Sequence, residues 1–293
     1  MLEIDKLAWS PSGKQDRKFR LHVPRLSIGS GITLLAGRNG AGKTSLLHLL
    51  ATAETPDEGA IRYGGLTMDR SLSAIRASIG YVPTDVSLYE EMTVVRLLRY
   101  MAQLKGVVGE QMAVEPLLEQ FRLVPYRSRK IKTLAQGIRQ RIALAQAWIG
   151  KPAYLFLDEP LNALDSLERL LFIRQLADYA RSRTVIVSTH ELNEWEAWAN
   201  RVIWLDEGRV RFHGHIAEWL GGLPASVWEG TLSEEQYRAI DASAVLRVRA
   251  EDGLLRVSMV SVHPPRPDFA EQAPTMEDAY FIRCRFQAPY SAG

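Results

Sequence analysis

The sequence predicts an α/β fold in which a mainly parallel sheet is covered by helices. Three observations predict it. The apolar run at residues 32–36 leads into a glycine-rich stretch, G-R-N-G-A-G-K-T-S at residues 37–45, and then into a leucine-rich run at 46–50. A second apolar run, residues 153–157, ends in Asp158-Glu159-Pro160. From Ile138 to Leu205, helix-like and strand-like runs alternate, as they do where helical crossovers join parallel strands. In such sheets ligands gather at the carboxyl ends of the strands.

Taken in order, residues 2–9 form a partly alternating strand, and Phe19, Leu21 and Val23 mark a second one, broken at Pro24. The glycine-rich stretch fits G-x-x-x-x-G-K-[ST], and its strand and helix flanks are those that a phosphate-binding P-loop requires. Gly37, Gly40 and Gly42 let the chain bend so that successive backbone N–H groups converge on phosphate oxygens, and Arg38, Asn39, Ala41 and Ser45 join them as expected nucleotide-binding residues. Lys43 is expected to reach the β- and γ-phosphates, and the Thr44 hydroxyl to hold Mg²⁺. A glycine-rich turn with a chance lysine is the bland alternative, and the flanks argue against it. The chain is therefore expected to bind ATP or GTP.

Residues 56–59 read as a turn, 60–65 as a short strand and turn, and 79–83 as a strand stopped by proline. A helix over 93–104 is expected to bury Val94, Leu97, Leu98 and Met101, with Thr93 as N-cap. A second helix, 111–122, carries Val114, Leu117, Leu118 and Phe121. These two helices interrupt the alternation and read as an inserted subdomain. Helices at 138–149, 166–180 and 191–199 and strands at 184–188 and 201–205 complete the core. Past Gly221-Gly222-Leu223-Pro224 the composition shifts. Strands at 245–249 and 254–260 join through Asp252-Gly253, a hairpin turn. Thr275 and Asp278 form a variant capping box ahead of a short helix. Residues 1–221 are read as the nucleotide-binding domain, with helical insertion at about 84–150, and 222–293 as an accessory module.

Composition narrows the function. The 293 residues carry 36 Lys+Arg against 34 Asp+Glu, a net charge of +2 that gives no argument for nucleic acid as a partner, and none is expected. One cysteine, Cys284, rules out an internal disulfide. No run approaches the ~20 apolar residues of a membrane span, and the first residues lack the features of a signal peptide. A soluble protein is expected, with any membrane role supplied by a partner.

Asp158 and Glu159 leave the end of a buried strand, where Asp158 can orient Mg²⁺ and Glu159 can polarise an attacking water. His190 follows the strand 184–188 and can hydrogen-bond a γ-phosphate oxygen. Trp9 is read first as a packing residue and second as an aromatic platform for adenine.

The P-loop, L-F-L-D-E-P at 155–160, Leu161-Asn162-Ala163-Leu164-Asp165 and Ser188-Thr189-His190 come in the order of the ATP-binding cassette family. Residues 2 to about 220 resemble the nucleotide-binding subunit of an ATP-binding cassette transporter. The resemblance implies a P-loop NTPase core with an antiparallel β-subdomain and an inserted helical subdomain, plus a small C-terminal α+β module. It implies a cytoplasmic ATPase at the inner face of the membrane, held there by an integral membrane permease that docks on the helical subdomain. Leu88-Tyr89-Glu90-Glu91-Met92-Thr93 resembles the family's entry to that subdomain. Residues 274–280 are similar to the C-terminal helix of exporter-type cassettes such as the multidrug and bacitracin-export subunits. Asp165 falls in the segment that crosses to a second cassette subunit.

Two departures stand out. Thr84 occupies the place of a glutamine that touches Mg²⁺, and threonine is shorter. The signature L-S-G-G-Q reads Leu134-Ala135-Gln136-Gly137-Ile138. Family cassettes close each signature over the other subunit's P-loop. Ala135 lacks the hydroxyl for the γ-phosphate, and Gln136 replaces a glycine, while Gly137 and the following helix dipole survive. A heterodimer with an intact-signature cassette is favoured, with a homodimer as the alternative. The competing functions are a soluble ATP-driven clamp outside transport and a weakly hydrolysing regulatory cassette.

Overall fold

The computed structural model describes residues 1–11 and 19–286. Contacts divide the chain into two units, one holding residues 1–190 and 197–213, the other residues 191–196 and those from Gly214 on.

The first unit is built on one sheet. Its parallel half carries β4 (Gly31–Ala36), β7 (Ile79–Val82), β8 (Tyr154–Asp158), β9 (Thr184–Ser188) and β10 (Arg201–Asp206), in the order β10-β4-β9-β8-β7. Every residue of β8 and β9 is buried, as expected for strands covered on both faces. Register does the functional work. Leu35 and Asp158 both lie opposite Ser188, so the chain leaves these three strands at one edge, into Gly37, Glu159 and Thr189. The antiparallel half pairs β1 (Leu2–Trp9) with β2 (Leu21–Val23), β3 (Leu26–Ile28) and β5 (Glu58–Tyr63), with β6 (Leu66–Thr67) at the rim. β11 (Arg209–His215) lies between β2 and β10. Leu2, Ile4, Leu7, Leu46, Leu47 and Phe156 are among the side chains that join the two halves in one core.

Helix α1 (Lys43–Leu50) follows the P-loop, and α2 (Met68–Ala77) precedes β7. The inserted helices are α3 (Val94–Leu104), α4 (Glu110–Gln120) and α5 (Gln136–Trp148), and α6 (Ser166–Ala180) follows β8. Val94, Leu97, Leu98, Val114 and Leu118 are fully enclosed, the faces that the helical periodicity predicts. Lys105 ties α3 to the sheet. Its amine donates to Ile79 O at 2.8 Å and Ile149 O at 3.1 Å, and burial pushes its pKa down to about 8. An ammonium that titrates at about 8 when folded and near 10.5 when unfolded costs stability fully below pH 8. That cost is relieved as pH rises through this window, because the unfolded chain there binds the extra proton. Wild-type stability minus that of Lys105→Met should climb between pH 8 and 10.5 by at most about 3 kcal/mol. Urea titrations at several pH values measure this, and a constant difference would contradict it.

The second unit pairs β12 (Ser226–Leu232), β13 (Val245–Glu251), β14 (Leu254–Ser261) and β15 (Ala270–Gln272) in the order β13-β14-β12-β15, with α7 (Ile216–Leu220), α8 (Glu234–Arg238) and α9 (Met276–Phe286). The hairpin at Asp252-Gly253 and the α9 box form as expected: Asp278 N donates to Thr275 Oγ1 at 3.2 Å, and Thr275 N to Asp278 Oδ2 at 3.0 Å. The unit begins before residue 222 because Trp219 of α7 is fully buried and donates to Met276 O at 3.1 Å. Arg283 binds the carbonyls of Glu218, Trp219 and Gly221, a cation at a helix C-terminus.

One expected helix is corrected. Residues 191–199 form only a 3-10 turn at Leu192–Trp195. Asn193 Oδ1 accepts from Glu277 N at 3.0 Å, and Trp195 is fully buried, so tertiary contacts override the local helical pattern.

Candidate functional site

The edge where β4, β8 and β9 end opens into a cleft of about 880 Å³. Gly37 leaves β4 at φ 154°, and a Cβ there would stand 2.4 Å from Leu205 O. Gly42 has φ 104°, and a Cβ on it would meet the Phe19 ring at 2.9 Å. Glycine is thus required at residue 37 by packing as well as by dihedral, and at residue 42 by its dihedral. Ala41 is buried, whereas Arg38, Asn39, Gly40 and Thr44 are exposed and line the cleft with Ser45.

Lys43 is 7% exposed. Its Nζ donates to Gly37 O at 2.7 Å and Arg38 O at 3.3 Å, so the amine closes the loop on itself. Burial lowers its pKa, while the charges of Glu159 and Asp158 act to raise it. The Thr44 hydroxyl donates to Asp158 Oδ2 at 2.8 Å, and Ser188 Oγ donates to Asp158 Oδ1. Glu159 sits at φ 50°, a left-handed conformation costly for a side chain with a Cβ. Its N–H donates to Ser188 O and Ser188 Oγ, each at 3.2 Å, which holds the turn. His190 Nε2 lies 3.4 Å from both Lys43 Nζ and Glu159 Oε1. One ring nitrogen cannot accept from the lysine and donate to the carboxylate together, so its tautomer selects the partner.

The structure brings Trp9, Thr84, Asp158, Glu159 and His190 to the same cleft as the P-loop. Trp9 lines this cleft and also packs against the core. Thr84 additionally borders a second cavity of about 390 Å³ with Leu134, Gln136, Arg139 and Gln140. Ala135, Gly137 and Asp165 are not among the cleft's lining residues. Ala135 is the N-cap of α5 and gives it no side-chain bond, and Gln136 is exposed beside it. Asp165 caps α6 in a reciprocal box with Glu168. Sequence reasoning missed Phe19, His48, Pro83 and Asp85, which also line the cleft. The edge-to-face contact of His48 with Tyr81, 5.8 Å between centroids, gave no sequence signal.

Thr44 and Asp158 offer hard oxygen donors side by side, a set that suits Mg²⁺ completed by phosphate and water. Among the described residues no cluster of three His, Cys, Asp or Glu could hold a metal alone. No helix among them is long and apolar enough to cross a membrane.

Comparisons with known proteins agree with this geometry. Residues 23–162 match the ABC transporter family. The chain is 33% identical over 197 residues to the retinal-specific phospholipid-transporting ATPase ABCA4 of Homo sapiens, covering 66% of this chain and 9% of that protein. It is 35% identical over 196 residues to the molybdenum import ATP-binding protein ModC of Brucella abortus, covering 64% of this chain and 54% of ModC. The chain thus spans under a tenth of the first relative and about half of the second. A solved ATP-binding subunit of an ABC transporter superposes with a TM-score of 0.68 at 26% identity, over 75% of this chain and 91% of that one. A dimeric cassette in a post-hydrolysis state with ADP and Pi shares the fold, with a TM-score of 0.66 at 22% identity over 74% and 99% of the two chains. This chain carries the ATP-binding ATPase domain of the ABC transporter family.

Proposed function

We propose that this chain is the ATP-hydrolysing subunit of a transporter, closing with a second cassette in a head-to-tail dimer and powering export through a separate membrane permease. One observation carries the reading: Lys43 and Glu159 meet His190 at a single cleft, each 3.4 Å from its Nε2. Lys43 would turn from its loop carbonyls to the β- and γ-phosphates, where charge-assisted bonds are stronger. His190 Nε2–H would then donate to a γ-phosphate oxygen, leaving Glu159 to accept a proton from the attacking water. Thr44 and Asp158 would hold Mg²⁺, with Thr84 near it; the ion neutralises phosphate charge when bound. Trp9 and Phe19 supply aromatic faces for adenine at the cleft wall.

The permease would dock on the inserted helices near residues 84–105. A cavity of about 250 Å³ there is lined by Tyr81, Met101, Leu104 and Lys105, and Tyr89 and Leu104 are 51% and 64% exposed. Such a partner would hold the chain at the inner face of the membrane. The export direction is supported by the similarity of residues 274–280 to exporter-type cassettes. Co-purification from membranes, with identification of the bound subunits, tests both partners.

The exposed, uncapped start of α5 supports an asymmetric dimer. This chain's P-loop would be closed by an intact partner signature, while Ala135 and Gln136 would close the other pocket weakly. A lost hydrogen bond to charged phosphate is worth roughly 1.5–3 kcal/mol, about ten- to a hundredfold. The isolated chain should therefore hydrolyse ATP slowly, and Ala135→Ser/Gln136→Gly should speed it. Rapid hydrolysis by the unmodified homodimer, with no gain on restoring the signature, would favour the homodimer instead.

A further inference from the structure

We infer that Gln140 is a positioning residue for Glu159, acting through the carbonyl of Pro160; this rests on the hydrolytic reading of Glu159 above. The turn that presents Glu159 is not held by the sheet alone. Ser188 fixes its first residue, Glu159, from β9, and Asn162 N donates back to Glu159 O at 3.2 Å. The rest of the segment is held by the first turns of α5, at three successive points. Gln140 is 8% exposed, and its Nε2 donates to Pro160 O at 3.1 Å in a buried bond. Gly137 lies under Ala163, whose carbonyl oxygen would stand 2.7 Å from a Cβ at that position. Arg141 Nε stands 3.4 Å from Glu168 Oε1, in the first turn of α6. Residues 137, 140 and 141 are spaced i, i+3, i+4, so they share one face of the helix.

The geometry gives Gln140 a task distinct from packing. Both Glu159 and Ala163 have positive φ, 50° and 64°, so this segment is strained at two points and stays in place only where its neighbours hold it. The bond from Gln140 falls on the residue next to Glu159. Without that donor the buried Pro160 carbonyl loses its partner, and the turn can relax toward ordinary dihedrals, carrying the carboxylate away from the water it must activate. A shift of about 1 Å at such a group is enough to cost up to a hundredfold in rate. Nucleotide binding depends on the P-loop, which Gln140 does not touch, so affinity should be spared. The same helix turn begins at Gln136, directly after Ala135. Whatever engages the signature therefore bears on this chain's own Glu159 turn through two side chains and one glycine.

The test compares single-turnover hydrolysis and ATP affinity in the full chain for Gln140→Met, Gln140→Glu, Glu159→Gln and the double variant Gln140→Met/Glu159→Gln. Methionine keeps the length of the side chain and removes the donor; glutamate keeps the shape and sets an acceptor against the carbonyl. Both should slow hydrolysis by roughly tenfold or more, the worth of a buried hydrogen bond, with ATP affinity within about twofold of wild type. The double variant, followed over hours, should be no slower than Glu159→Gln alone, because a residue acting through Glu159 adds nothing once Glu159 is gone. Wild-type rates in both Gln140 variants beside an inactive Glu159→Gln would overturn the inference and leave the function standing. A further drop in the double variant, or loss of ATP affinity together with rate in both single variants, would also overturn it by making Gln140 a residue of the fold. Normal turnover in Glu159→Gln would remove the reading on which the inference rests.

Discussion

Replacing Glu159 by Gln should slow ATP hydrolysis by orders of magnitude while leaving ATP affinity nearly unchanged. On the proposed reading this carboxylate is the group beside the P-loop placed to accept a proton from an attacking water. Asp158 is engaged by Thr44 and Ser188, and His190 donates once phosphate is present. Glutamine keeps the side chain's shape and its place near His190 but cannot serve as base, which removes an effect usually worth 10²–10⁴-fold. Because the backbone strain at residue 159 is already held by Ser188, the exchange should not disturb the turn. A stalled step should also leave ATP trapped and the dimer long-lived. Steady-state turnover in the assembled complex, with equilibrium nucleotide binding and light scattering, measures all three consequences.

Lys43→Ala should have the opposite signature: affinity is lost first. The amine is enclosed and bonded to two loop carbonyls; burial lowers its pKa, and the charges of Glu159 and Asp158 act against that shift. A phosphate group would replace those carbonyls with stronger, charge-assisted partners. Removing the amine takes away a charged hydrogen bond worth roughly 1.5–3 kcal/mol, about ten- to a hundredfold in affinity, and leaves the Gly37 carbonyl without its donor. Calorimetric titration with ATP checks it. An unchanged affinity would mean that the phosphates bind elsewhere in the cleft.

Much of this site was legible because its residues sit directly after runs of buried strand. Lys43, Asp158, Glu159 and His190 each follow an apolar segment, and a parallel register is all that is needed to bring the segment ends together. Residues off that edge were harder to read. Phe19 reaches the cleft because β1 and β2 pair with Trp9 opposite Leu21, a match with no local signature. Helix α2 went unrecognised since Ile75 is its one buried residue and the backbone kinks at Ser71. Strand β12 was concealed behind Gly221-Gly222-Leu223-Pro224, its partners β14 and β15 lying far along the chain. Gly137 read as a family feature of a partner's pocket, yet it and Gln140 each meet their own chain, at Ala163 and Pro160. Long-range contacts of that kind leave no trace in periodicity.

The most direct measurement is a single turnover. Wild-type protein and Glu159→Gln, each in excess over labelled ATP with Mg²⁺ and assembled with their co-purified subunits, are quenched over time and the bound nucleotide is resolved. Equal label should be bound in both, converted to ADP in the wild type and remaining ATP in the variant. ADP appearing at the same rate in both would contradict it.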